Sequence, residues 1–182
     1  EHSHMTRWLR FLSGLIALAV TSAVLADDSC KLESVDEGMS ANHPVCLFYT
    51  GTQHFRNERY EMAAMSWDTL RQLPEIESEH LSLRISALNN LGYLYFSGFG
   101  VDADEALAVS YWRDAVSLGH DESEYHLCYA LGNPDAPTFE PVTAKMHCDK
   151  AEAIYSFIKE PGESDKVILE IIRKYQALLD DV

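Results

Sequence analysis

Residues 87–119 read ALNNLGYLYFSGFGVDADEALAVSYWRDAVSLG. Small and large apolar residues recur at helical spacing on both sides of a glycine-rich break, Gly98-Phe99-Gly100. Two helical periods separated by turn residues predict a helix–turn–helix hairpin. Gly92 and Ala108 are the points at which its two helices can touch, with Leu91, Tyr95, Tyr111 and Trp112 filling the space beside them. Asp104 stands at the start of the second helix, where a carboxylate caps free amides and complements the helix dipole.

The same register recurs further along the chain. One constant shift carries Leu91 onto Leu127, Gly92 onto Cys128, Tyr95 onto Leu131 and Asp104 onto Glu140. It also carries Ala108 onto Ala144, Trp112 onto Cys148 and Ala115 onto Ala151. This third hairpin is degenerate, and its turn is rewritten as the proline-stiffened Asn133-Pro134-Asp135-Ala136-Pro137. Residues 76–84 are extra between the first and second hairpins and are expected to lengthen the next helix at its N-terminal end. After Pro161-Gly162 a last helix is expected over about residues 164–179. Its stripe is Val167, Ile168, Ile171, Ile172, Tyr175 and Leu179, with Lys166, Glu170, Arg173 and Lys174 on the other side.

The central hairpin resembles the Sel1-like repeat. Leu91-Gly92, Tyr95, Gly98-x-Gly100-Val101, Asp104, Ala108, Tyr111-Trp112 and Ala115 fall in that family's order without insertion. Val116 replaces the second of its two alanines. The preceding segment is similar to the related tetratricopeptide pattern at Gly51, Tyr60, Ala63, Trp67 and Leu70, with Pro74 near the expected terminal proline. The resemblance implies an all-α protein, an α/α superhelix of about three helix-turn-helix repeats plus a C-terminal capping helix. The expected repeat domain is 44–160, and residues 163–182 carry the cap, because terminal repeats need a polar outer face. A partner-binding amphipathic helix is the alternative reading of that last segment.

Residues 1–4, ahead of Met5, read as a vector remnant. Residues 5–26 read as a signal peptide: Arg7 and Arg10 precede an apolar run over 11–20, and Val24-Leu25-Ala26 supplies the cleavage positions. Cleavage is expected after Ala26, with the protein then periplasmic or secreted. Residues 27–43 form an acidic lead-in. Four cysteines in the exported part, Cys30, Cys46, Cys128 and Cys148, imply two disulfides in an oxidising compartment, and three pairings are open. In the repeat geometry that the resemblance implies, the second-repeat equivalents of Cys128 and Cys148 face one another. That favours Cys128–Cys148 with Cys30–Cys46. Disulfide-bridged members of the family generally carry their cysteines elsewhere, which leaves the pairing open.

Acidic residues outnumber basic ones 29 to 14, for a formal charge of −15. Such a surface repels phosphate backbones and anionic headgroups, so no nucleic acid and no membrane partner after signal removal are expected. A neutral to basic protein or peptide fits best, although the charge also serves solubility alone.

Catalytic and metal readings lack converging residues. There is no serine on a glycine elbow and no phosphate-binding glycine loop, and His43, His54, His80 and His120 are scattered singly. His126, Cys128, His147 and Cys148 make a zinc-type set, but the histidines flank the cysteines on different helical faces, so a disulfide is preferred. No cofactor, no metal and no catalytic residue is expected, and the chain is read as a non-enzyme, with a hydrolase as the alternative.

What remains is a surface. Tetratricopeptide groove positions carried over one by one give Phe48, Tyr49, Thr52 and Phe55 in the first repeat. The second contributes Asn89, Asn90, Tyr93 and Phe96, and the third Glu122, Tyr125, His126 and Tyr129. Polar-tipped aromatics and amides suit recognition of an extended chain or a helix. For Phe48, Phe55 and Phe96 the competing reading is core. Exported Sel1-like proteins include envelope adaptors, flagellar accessories, host-interaction factors and toxin-neutralising immunity proteins. The resemblance therefore implies a protein-binding adaptor or immunity protein, with a disulfide-stiffened structural component of an envelope or flagellar machine as the alternative.

Overall fold

The computed structural model describes Cys30 and residues 39–180. The expected vector remnant, the signal peptide and most of the acidic lead-in lie outside the described residues. Seven α-helices and no strand occur among the described residues: α1 (Pro44–Arg56), α2 (Tyr60–Gln72), α3 (Leu81–Ser97), α4 (Glu105–Ser117), α5 (Asp121–Gly132), α6 (Pro141–Ser156) and α7 (Glu163–Asp180). Each helix packs on the next in sequence, while α1 also meets α3 and α5 also meets α7. The chain is an all-α superhelix of three hairpins followed by one further helix.

Local chemistry sets the ends of these elements. Asp104 accepts from the Leu107 amide at 2.9 Å and caps α4, as its position predicts. Gly98 ends α3 in the left-handed conformation, φ 68°. Gly100 also has positive φ, and a Cβ there would run into the backbone of Tyr60 and Glu61, so the second hairpin's turn seats directly on the start of α2. The expected lengthening of α3 is only partial: α3 begins at Leu81, after a 3-10 turn over Ser78–His80. Pro74 and the side-chain bond from Arg84 to the Leu73 carbonyl hold the intervening chain back across the hairpin.

The shifted register holds in three dimensions. The Asp104 amide donates to the Tyr95 carbonyl at 2.9 Å, and the Glu140 amide donates to the Leu131 carbonyl at 2.9 Å. Ala63, Ala108, Ala115, Ala144 and Ala151 are all fully buried where paired helices approach most closely. α4 is the shared wall of the core. Its Ala108 and Trp112 belong to the same buried cluster as Leu127, Leu131 and Ile172, and its Tyr111 and Ala115 to the cluster of Trp67, Leu70, Leu91 and Leu94. On α7, Ile172 and Leu179 are buried, but Val167 at the head of the expected stripe is 53 % exposed. No helix among the described residues is long and apolar enough to cross a membrane.

Candidate functional site

One contact is built twice and replaced once by a covalent bond. A Cβ on Gly51 would fall on the Trp67 indole, and a Cβ on Gly92 would fall on the Trp112 indole. Each tryptophan lies across a glycine of the partner helix and donates through Nε1 to the carbonyl one turn earlier. Trp67 reaches the Phe48 oxygen at 3.2 Å and Trp112 the Asn89 oxygen at 3.1 Å. In the third hairpin the pair is covalent: Cys128 and Cys148 form a disulfide with Cα atoms 4.6 Å apart. The other disulfide joins Cys30 to Cys46 and ties the lead-in to α1.

These contacts align α1, α3 and α5 around a pocket of about 360 Å³. Its walls are the rings of Phe55, Trp67 and Tyr93, with the imidazole of His126 on the far side. Polar groups of the lining come from Thr52, Asn89, Asn90 and Glu122. Tyr93 is 37 % exposed and touches three rings, with centroids 6.2 Å from Phe55, 6.0 Å from Phe99 and 6.5 Å from His126. His126 in turn stacks on Trp112 at 4.7 Å and 14°.

Of the residues expected to line a groove, the pocket gathers Thr52, Phe55, Asn89, Asn90, Tyr93, Glu122 and His126. The structure gives Asn89 another task. It is only 4 % exposed, and its Oδ1 accepts from the hydroxyl of Ser123, itself fully buried, at 2.8 Å, tying α3 to α5. Asn90 makes no side-chain hydrogen bond among the described residues. Thr52 donates to the Phe48 carbonyl at 3.0 Å.

The other expected residues lie away from the opening. Phe48 packs edge-on to exposed Tyr49 at 5.4 Å. Phe96 and Tyr129 pack on one another at 5.2 Å and both pack on Trp112, on the core side. Tyr125 meets Tyr155 at 6.2 Å. Trp67 is the lining residue that the groove positions omit. Its place on a second helix reads as core, and the signal for it was Gly51 opposite, which leaves room for the ring to reach the pocket edge.

Glu122 is the only formally charged carboxylate lining the pocket, and its side chain is 55 % exposed. His126 Nε2 stands 3.6 Å from its Oε1, and this neighbour, helped by Asn89, holds the carboxyl below the ordinary range in spite of burial. No lysine or arginine pairs with Glu122 among the described residues. Burial pushes the phenols of Tyr125 and Tyr129 upward, so both remain neutral donors. His126 Nδ1 lies 3.0 Å from the Tyr129 hydroxyl.

The zinc-type set is otherwise engaged. Its cysteines are bonded to one another, His126 faces the pocket, and His147 Nδ1 meets Glu124 Oε2 at 2.5 Å in a buried pair approached by Lys150. The histidines expected to be single include two that are neighbours. His43 caps α1 by accepting from the Val45 amide, and its ring lies 5.0 Å from His80. His80 groups with Glu77 and Glu79, their ligand atoms all within 4.8 Å of one another, at the surface. Ser123, the serine that meets a histidine, is 3.0 Å from His120 Nδ1 and has no open surface.

Compared with known proteins, the chain matches no family model, no curated protein and no solved structure.

Proposed function

We propose that this chain is an exported, Sel1-like protein-binding module that holds a neutral to basic segment of a partner protein across α1, α3 and α5, as a periplasmic adaptor or an immunity protein. The observation that carries this reading is the pocket in which Tyr93, Asn90 and Glu122 from two different repeats converge beside Phe55 and Trp67. A concave, mainly aromatic site with a few polar groups is the usual form of a recognition surface. The two disulfides support export, since such bonds persist in oxidising compartments. The surplus of acidic residues favours a partner of opposite charge. The buried state of Ser123 supports a binding role over a hydrolase.

The test is capture of a partner from a cell-envelope extract by the purified chain. The best variant pair is Asn90→Ala with Tyr93→Leu, because both side chains are open and Asn89 is a strut between helices. Loss of one stoichiometric partner with an unchanged melting temperature is the expected result. Undiminished capture by the double variant would remove the groove from consideration. It would leave the structural-component reading, which the covalent clamp in the third hairpin favours.

A further inference from the structure

We infer that the pocket between α1, α3 and α5 is an arginine socket: the guanidinium of one partner arginine enters between Phe55, Trp67 and Tyr93 and meets the carboxylate of Glu122. This deepens the protein-binding reading and rests on it. The argument begins with charge. Glu122 is the only formally charged carboxylate of the lining, and it has no lysine or arginine of its own among the described residues. Its nearest counter-group is the His126 imidazole, 3.6 Å away and already engaged with Tyr129 through the other nitrogen, with His120 and the Asn89 amide as weaker neighbours. An anionic occupant would face an uncompensated carboxylate inside a chain of net charge −15. An apolar occupant would strip water from Glu122 and from the Asn90 amide without replacing their hydrogen bonds, which is costly.

A cation satisfies both walls. Aromatic rings attract cations through the negative potential of their faces, and the tyrosine here stands among three other rings that hold it in place. The Asn90 side-chain oxygen is available to accept from the same occupant. Arginine fits better than lysine because its head is planar, weakly hydrated and able to donate to a carboxylate and an amide oxygen at once. An ammonium is a compact, strongly hydrated charge, and it loses more on leaving water. A pocket of about 360 Å³ also has room for the aliphatic stem beside Phe55. The surrounding negative surface raises the local concentration of any basic segment.

The experiment is a titration of the isotope-labelled chain with acetyl-arginine methylamide, followed by two-dimensional NMR at the Trp67 indole and Asn90 amide signals. Acetyl-citrulline methylamide, which keeps the shape and loses the charge, and acetyl-lysine methylamide are the comparison probes. The arginine probe is expected to shift both signals, with citrulline about tenfold weaker or more. Lysine is expected to fall between them. Glu122→Gln should weaken the arginine probe by about tenfold while Glu163→Gln, on α7, leaves it unchanged. Tyr93→Leu, which keeps apolar volume without a ring face, should weaken it as well. Equal binding of citrulline, equal binding of lysine, indifference to Glu122→Gln, or no shift at either signal would each overturn the assignment. The groove reading fails by a different result, undiminished partner capture by the Asn90→Ala, Tyr93→Leu chain.

Discussion

The indole of Trp112 lies across Gly92, close enough that a Cβ at Gly92 would occupy the ring's own position, and its Nε1 is bonded to the Asn89 carbonyl at 3.1 Å. Glycine inside a helix ordinarily weakens it, and replacement by alanine gains about 0.5–1 kcal/mol. At Gly92 the sign reverses, because the fully buried ring has nowhere to go. Gly92→Ala should cost about 1–3 kcal/mol in urea unfolding. Gly51→Ala, under Trp67, should behave alike, and a gain in stability at either position would contradict the packing described.

The third hairpin replaces this contact with the Cys128–Cys148 bond, which closes a loop of sequence separation 20. A cross-link of that span restricts the unfolded chain by about 3 kcal/mol. Cys128→Ser with Cys148→Ser should therefore lower the melting temperature by about 6–12 °C. The buried Glu124–His147 pair and the surrounding alanines remain to hold α5 to α6. A melting temperature that does not move would mean that those contacts suffice alone.

Glu58, in the turn between α1 and α2, has φ 58° and is the one non-glycine residue with positive φ among the described residues. A side chain in that region costs about 1–2 kcal/mol, part of which glycine gives back as freedom in the unfolded chain. Glu58→Gly should stabilise the protein by about 0.5–1 kcal/mol, read by chemical unfolding.

Burial lowers the imidazole of His120 below its ordinary value of 6.5, against the opposing charges of Glu122 and Asp121. His54 is lowered as well, by burial and then by Arg59. A depressed folded value means that the unfolded chain takes up the proton more readily. Stability is full above the unfolded value and is lost as pH falls from there through the folded value. Unfolding midpoints should decline as pH falls below about 6.5, and His120→Gln should flatten that decline. An unaltered slope would place the loss elsewhere.

The helical hairpins, their shared register and the Asp104 cap were legible from residue order alone. Periodicity, turn glycines and capping carboxylates act within a few residues, so their spacing carries the information. The spacing set Gly92 against Ala108 with Trp112 beside them, whereas it is the Trp112 indole that lies across Gly92, and the two cysteines of the next hairpin are bonded at the equivalent positions. Which groove residues stay open was decided only by packing. Asn89 turned to Ser123, Phe96 was covered by Tyr129 and Trp112, and Trp67 reached the pocket from a second helix. His43 and His80 met across a loop that no periodicity describes. These outcomes depend on the angles at which distant helices meet, and those angles are set jointly by many side chains far apart in the chain. Local spacing determined the elements and their order; the sum of long-range contacts determined which faces remain available to a partner.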